Sequence, residues 1–224
     1  MEQLNLFNDI KTCFQETEID DRLSRIKQAK DPQAKRLFKR EIFSALLHRD
    51  PIKYRIIDKV IEQVEEKGYT YVLCKISAEA KKFRELARQV RWEYGRAISF
   101  IRLRPVDQHR VLFGEFEIKH QTSEMIMQHF IHRFPQYNIM LVFGEDVYIG
   151  RDNEIFQEKI NPACRQAGVK RIRLPEKKDE FEKYWLTFYK TQFIPQRRNI
   201  RYLKRMIPKK YWKWASELKE FGLG

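Results

Sequence analysis

Hydrophobic side chains recur at helical spacing through the first 95 residues. Leu37, Phe38, Ile42 and Leu46 follow Asp31-Pro32, and Ile56, Ile57, Val60, Ile61 and Val64 follow Asp50-Pro51. In each case a capping side chain precedes a proline at the first helical position, and Gly68 ends the second run as a left-handed terminator. A further helix is predicted from Ser77 to Gly95, with Phe83, Leu86, Ala87, Val90 and Tyr94 on its apolar face.

The period then changes. Leu112, Phe116 and Ile118 alternate with Glu115, Glu117 and Lys119, as in a half-buried strand, and Ala97 to Leu103 is the expected partner strand. Residues 122–134 return to helix, with Ile126, Phe130 and Phe134 on one face. The apolar run Ile139 to Phe143, the turn Gly144-Glu145-Asp146 and Val147-Tyr148-Ile149 read as a hairpin buried on both faces. Asn153 to Gln166 reads as a helix, Val169 to Leu174 as a short strand, and Phe181, Tyr184, Trp185 and Phe188 as one helical face. The fold class expected is α+β. A helical N-terminal region (1–76) precedes a core (77–152) with a roughly four-stranded antiparallel sheet covered by helices, and a basic helical C-terminal region (153–224) follows.

Composition narrows the class. With 42 % hydrophobic and 34 % charged residues among 224, the chain is globular rather than disordered or fibrous. Cys13, Cys74 and Cys164 are odd in number and far apart, which supports neither a disulfide framework nor a metal knuckle. The opening MEQLNLFNDIK has no signal-like apolar run, and no stretch reaches the roughly 18 apolar residues of a membrane helix. A cytoplasmic location without membrane association is expected.

Charge changes the picture most. The net charge is +14, and from Pro162 onward seventeen Lys or Arg face six Asp or Glu, so +11 of it lies there. Between Arg197 and Lys213 there are eight basic side chains and no acid. Read as one helix, this segment puts Ile200, Leu203 and Ile207 on an apolar stripe and Arg197, Arg201, Lys204 and Arg205 opposite. Such a row neutralises successive phosphates. Arg198, Lys209, Lys210 and Lys213 extend it, and Tyr211 and Trp212 interleave aromatic faces suited to unstacked bases. These ten residues are the candidate nucleic-acid surface. Trp212 with Trp214 could instead anchor a protein partner.

Catalytic signals are sparse. There is no nucleophile elbow, no phosphate-cradling glycine loop and no paired-carboxylate nuclease motif. His129 and His132 share a helix face, but without H-E-x-x-H and beside Phe130 and Phe134 they read as packing residues, so no metal or cofactor is expected. The candidates for acid–base chemistry are His120 and Glu117 at a strand end, with His129.

Three stretches resemble a bacterial and archaeal family described only as DNA-metabolism or DNA-repair proteins. LARQVRWEYGRAISFIRL supplies Val90, Glu93, Arg96, Phe100 and Arg102. FEIKHQTSEMIMQHFIHRFP supplies Glu117, His120, His129, Phe130, Arg133, Phe134 and Pro135. YWLTFYKTQFIPQRRNIRYLKRMIPKKYWK supplies Trp185, Phe188, Arg198, Asn199, Arg201, Pro208, Tyr211 and Trp212. The resemblance spans roughly two thirds of the chain. It departs at Gly95, where the family has histidine, and at Leu203, Arg205 and Met206, where it has polar side chains. It implies a role beside DNA repair, with a radical-SAM partner protein; some relatives are fused to a uracil-DNA glycosylase-like domain whose motifs this chain lacks. The function expected is nucleic-acid binding, DNA foremost, in repair or metabolism with a partner enzyme. The alternatives are a repair lyase or nuclease using His120, Glu117 and His129, or a protein–protein adaptor.

Overall fold

Apolar residues at i, i+4 and i+7 on each of the early helices need a common interior, and the structure supplies one. The computed structural model describes residues 32–106, 110–151, 154–159, 180–207, 209–214 and 218. They fall into two compact units, Met1–Ile98 with Glu117–His132, and Ser99–Phe116 with Arg133–Gly224. The class is α+β: seven α-helices among the described residues and a five-stranded mixed sheet. No described helix is long and apolar enough to cross a membrane.

The first unit holds α1 (Pro32–Leu46), α2 (Ile52–Lys67), the short α3 (Tyr69–Leu73), and most of α4 (Ala78–Phe100) and of α5 (Ser123–Arg133). Phe38, Ile57, Val60, Ile61, Val64 and Phe83 are buried in one cluster. The Phe38 ring lies 5.4 Å from Tyr69 and 5.7 Å from Phe83, centroid to centroid. The boundaries follow local chemistry. Asp50 Oδ1 accepts the Ile52 N–H at 3.0 Å at the start of α2. Gly68, at φ 81°, sits where α2 gives way to α3, a conformation that side chains with a Cβ disfavour. Ser77 caps α4, its Oγ accepting from Ala80 N at 3.0 Å and donating to Gln63 Oε1 at 2.6 Å.

α4 overruns its expected end. Gly95 lies inside it, and the stretch from Ala97 expected as a strand is helical through Phe100. A single interior glycine costs about 1 kcal/mol, too little to stop a helix whose buried stripe continues to Ala97. Arg102 then caps the end, donating to Ser99 O at 3.0 Å.

The second unit is built on strands β1 (Arg104–Val106), β2 (Val111–Phe116), β3 (Asn138–Phe143), β4 (Asp146–Arg151) and β5 (Glu154–Lys159), side by side in that order. The sheet has one strand more than expected and is mixed rather than antiparallel. β2 and β3 run parallel, Val111 opposite Asn138 through Phe116 opposite Phe143, and all other neighbours are antiparallel. A parallel pair needs a long crossover, and α5 lies in that connection. Gly114 of β2 is tightly enclosed: a Cβ there would stand 3.0 Å from Leu141 Cδ2 and 3.1 Å from Ile101 Cγ2, so those side chains would have to give by a few tenths of an ångström. The β3–β4 hairpin turns at Gly144 with φ 66°.

β5 corrects the helix expected from Asn153. Its side chains are almost all exposed, so it presents no hydrophobic period. Pairing decides it instead. The register sets Glu154 opposite Arg151 and Lys159 opposite Asp146, placing opposite charges across the strands at both ends. The rest of that expected helix and the strand expected at Val169 to Leu174 lie outside the described residues.

The C-terminal region contributes α6 (Glu180–Gln192), a 3-10 turn (Pro195–Arg197), α7 (Ile200–Met206) and a second 3-10 turn (Lys209–Trp214).

Candidate functional site

The basic segment is not one helix. Asn199 starts α7, its Oδ1 accepting the Tyr202 N–H at 2.8 Å. The proline at position 208 forces Ile207 out of the helical region, to φ −108° and ψ 99°. In α7 and at its end the expected division holds: Ile200, Leu203 and Ile207 are half-buried, whereas Arg201, Lys204 and Arg205 are exposed. Arg197, Arg198 and Lys209 are exposed beside them. Among the described residues, Arg197, Arg201, Lys204, Arg205 and Lys209 have no carboxylate partner. The side chains of Lys210, Lys213 and Trp214 lie outside the described residues.

The aromatic part of the expected surface needs correcting. Tyr211 is 1 % exposed and stacks on Phe116 at 5.0 Å and on Phe100 at 5.6 Å. Its ring is spent on packing and leaves no face for a base. Trp212 is half-buried, and its indole N–H donates to Ile207 O at 2.8 Å, tying the last turn to the end of α7. Exposed rings are found elsewhere. Tyr202 is 60 % exposed, Tyr184 67 % and Phe188 57 %. Tyr202 sits directly beside Arg201 in the cationic run, and this neighbour relation was its signal in the sequence.

An open pocket of about 430 Å³ lies along the same segment. Tyr189, Phe193, Ile194, Tyr202 and Leu203 give it an apolar lining, and Arg197, Arg198 and Asn199 add polar groups.

The acid–base candidates all belong to the first unit. His120 lies against His48, ring centroids 4.4 Å apart, and His120 Nδ1 accepts the Arg49 N–H at 3.3 Å. His48 is buried; its Nδ1 accepts from Asp50 N at 3.1 Å, and its Nε2 is 3.1 Å from Gln89 Oε1. His129 meets Tyr94 edge-on at 6.3 Å and Phe130 at 5.2 Å, and burial pushes the Tyr94 phenol above its ordinary pKa. Glu117 is exposed. Among the described residues no three His, Cys, Asp or Glu side chains gather as metal ligands would. Cys74 is free and exposed.

The carboxylate that organises the His120 segment is Glu93, on α4. It is 6 % exposed and accepts the Lys119 N–H and the His120 N–H, each at 2.8 Å, and the Thr122 hydroxyl at 3.3 Å. The backbone at Gln121 is held as well, donating to Leu47 O at 2.9 Å. Glu93 falls on the same stripe as Leu86, Val90 and Ala97, and an acid among those apolar neighbours was the visible cue.

A family profile described as a domain of unknown function, DUF4130, matches residues 49–217, and the chain belongs to that family. No curated protein and no solved structure matches the chain.

Proposed function

We propose that this member of the DUF4130 family binds nucleic acid, DNA foremost, through the exposed cations of the C-terminal segment. The observation that carries the reading is the uncompensated row Arg197, Arg201, Lys204, Arg205 and Lys209, none of them in an ion pair among the described residues. Cations held apart from carboxylates repel one another, and a polyphosphate relieves that repulsion while releasing its own counterions. A surface kept only for solubility mixes both signs. The sequence resemblance adds DNA repair or metabolism, beside a radical-SAM partner, as the setting of this binding.

The test is a salt-titrated binding measurement with DNA. Replacing Arg201 and Lys204 together by Glu weakens binding and flattens the slope of log affinity against log salt by about 2, near 0.9 for each phosphate no longer neutralised. An unchanged affinity and slope would remove this surface from the binding site. Product formation followed in the same assay brings in a second reading, a DNA-processing enzyme, which draws on the close approach of the His120 and His48 rings beside the Glu93 anchor.

A further inference from the structure

Positive charge alone does not distinguish one nucleic acid from another; the pocket beside it does. It is lined by the end of α6 and by α7, with the aromatic rings of Tyr189 and Phe193, 6.3 Å apart, and of Tyr202 among its walls. At about 430 Å³ it lies within the range of about 300–1,000 Å³ typical of small-ligand cavities. A flat heteroaromatic ring carried on a phosphate chain matches this combination of apolar walls and flanking guanidinium groups. Asn199 adds a polar handle: its Oδ1 is occupied by the Tyr202 N–H, which leaves the amide NH₂ to donate to a ring carbonyl. Tyr202 is 60 % exposed although its backbone is fixed in α7, so a stacking surface is held ready at little ordering cost.

We infer that this pocket receives one unstacked nucleobase, so that the ligand is single-stranded nucleic acid in preference to closed duplex. The inference rests on the nucleic-acid reading above and narrows it. A base inside a duplex has both faces covered by its neighbours and its edge paired, and enters only after unstacking. A single strand presents its rings freely, with phosphates close enough to meet Arg197 and Arg201. An acidic peptide would satisfy the cations yet leave the aromatic walls without a ring to stack on.

The test uses the full chain and a short DNA carrying 2-aminopurine, as a single strand and as the closed duplex, with poly-glutamate as competitor. Entry of the base changes the 2-aminopurine fluorescence of the single strand on binding and leaves that of the duplex unchanged. Tyr202→Ala weakens single-strand binding by about fivefold or more, as expected when one stacking ring is removed, with duplex affinity unaltered. Tyr202→Phe restores it, and the exposure of Tyr202 keeps both variants folded. Equal losses on both DNA forms, no loss on either, or a silent fluorophore overturn the pocket while the cationic surface stands. Failure of the unmodified protein to bind any DNA, or displacement by poly-glutamate as effective as by DNA of equal charge, overturns the nucleic-acid reading itself.

Discussion

The two units treat charge in opposite ways. In the first, acids are carried inward and matched. The Glu41 side chain is 2 % exposed, with Arg84 Nη1 at 2.9 Å from one oxygen and Arg91 Nη1 at 2.6 Å from the other. Glu93 is enclosed by backbone N–H groups and a hydroxyl. Each of these charges joins one segment of chain to another. In the second unit the cations of α7 point outward, and none of Arg201, Lys204 or Arg205 meets a carboxylate among the described residues. A count of charges along the chain treats the two groups alike. The difference is whether the partner is already in the molecule, which only geometry reveals, and it separates charges that hold the fold from charges available to a ligand.

If that contrast is sound, the largest stability effect of a charge substitution comes from Glu41. Glu41→Ala leaves two guanidinium groups facing each other in a site built for an anion. Removing one partner of a buried ion pair costs about 3–5 kcal/mol, and here the lower end applies, since Arg84 and Arg91 side chains keep 22 % and 33 % of their exposure to water. The urea midpoint falls accordingly. A loss below about 1 kcal/mol would mean that the arginines simply turn outward, and the contrast would be weaker than drawn.

Glu93 comes next. Glu93→Ala strips the Lys119 and His120 amides of their acceptor, and an unsatisfied buried donor costs about 1–3 kcal/mol. Hydrogen exchange at these two amides is the sharper readout. It accelerates in the variant if Glu93 holds the 119–122 segment, and a pattern identical to the unmodified protein would assign the carboxylate no such role.

Much of the helical unit was legible in the sequence because its signals are local. Asp50 forms the local hydrogen bond expected of it, a helix begins at Ser77 as predicted, Gly68 takes the positive φ, and the stripe from Ile56 to Val64 is buried. The same local rules failed where pairing partners distant in sequence decide. β5 has an acidic, helix-tolerant sequence and no buried face, yet its register with β4 makes it a strand. The parallel β2–β3 pair follows from where the crossover returns, not from either strand's pattern. At the candidate site, the cations and the half-buried stripe of α7 were readable from spacing. The fate of Tyr211 was not, because tyrosine between lysines looks the same in sequence whether it faces solvent or packs on Phe100 and Phe116. His48, 72 residues before His120, gave no sign of the ring contact between them.

The smallest expected effect is the most discriminating for the second unit. Replacing Arg201 and Lys204 together by Gln removes two cations that have no ion-pair partner among the described residues, so no ion pair seen there is lost with them, and stability is expected to stay within about 0.5 kcal/mol of the parent. What remains is self-repulsion within a chain of net charge +14, which the double substitution lowers. At low salt the variant is therefore marginally more stable than the parent. The difference vanishes by 1 M salt, where screening acts over about 3 Å. A loss above about 1 kcal/mol at any salt concentration would show that these side chains hold the fold as Glu41 does, and a ligand would no longer be needed to explain why they are there.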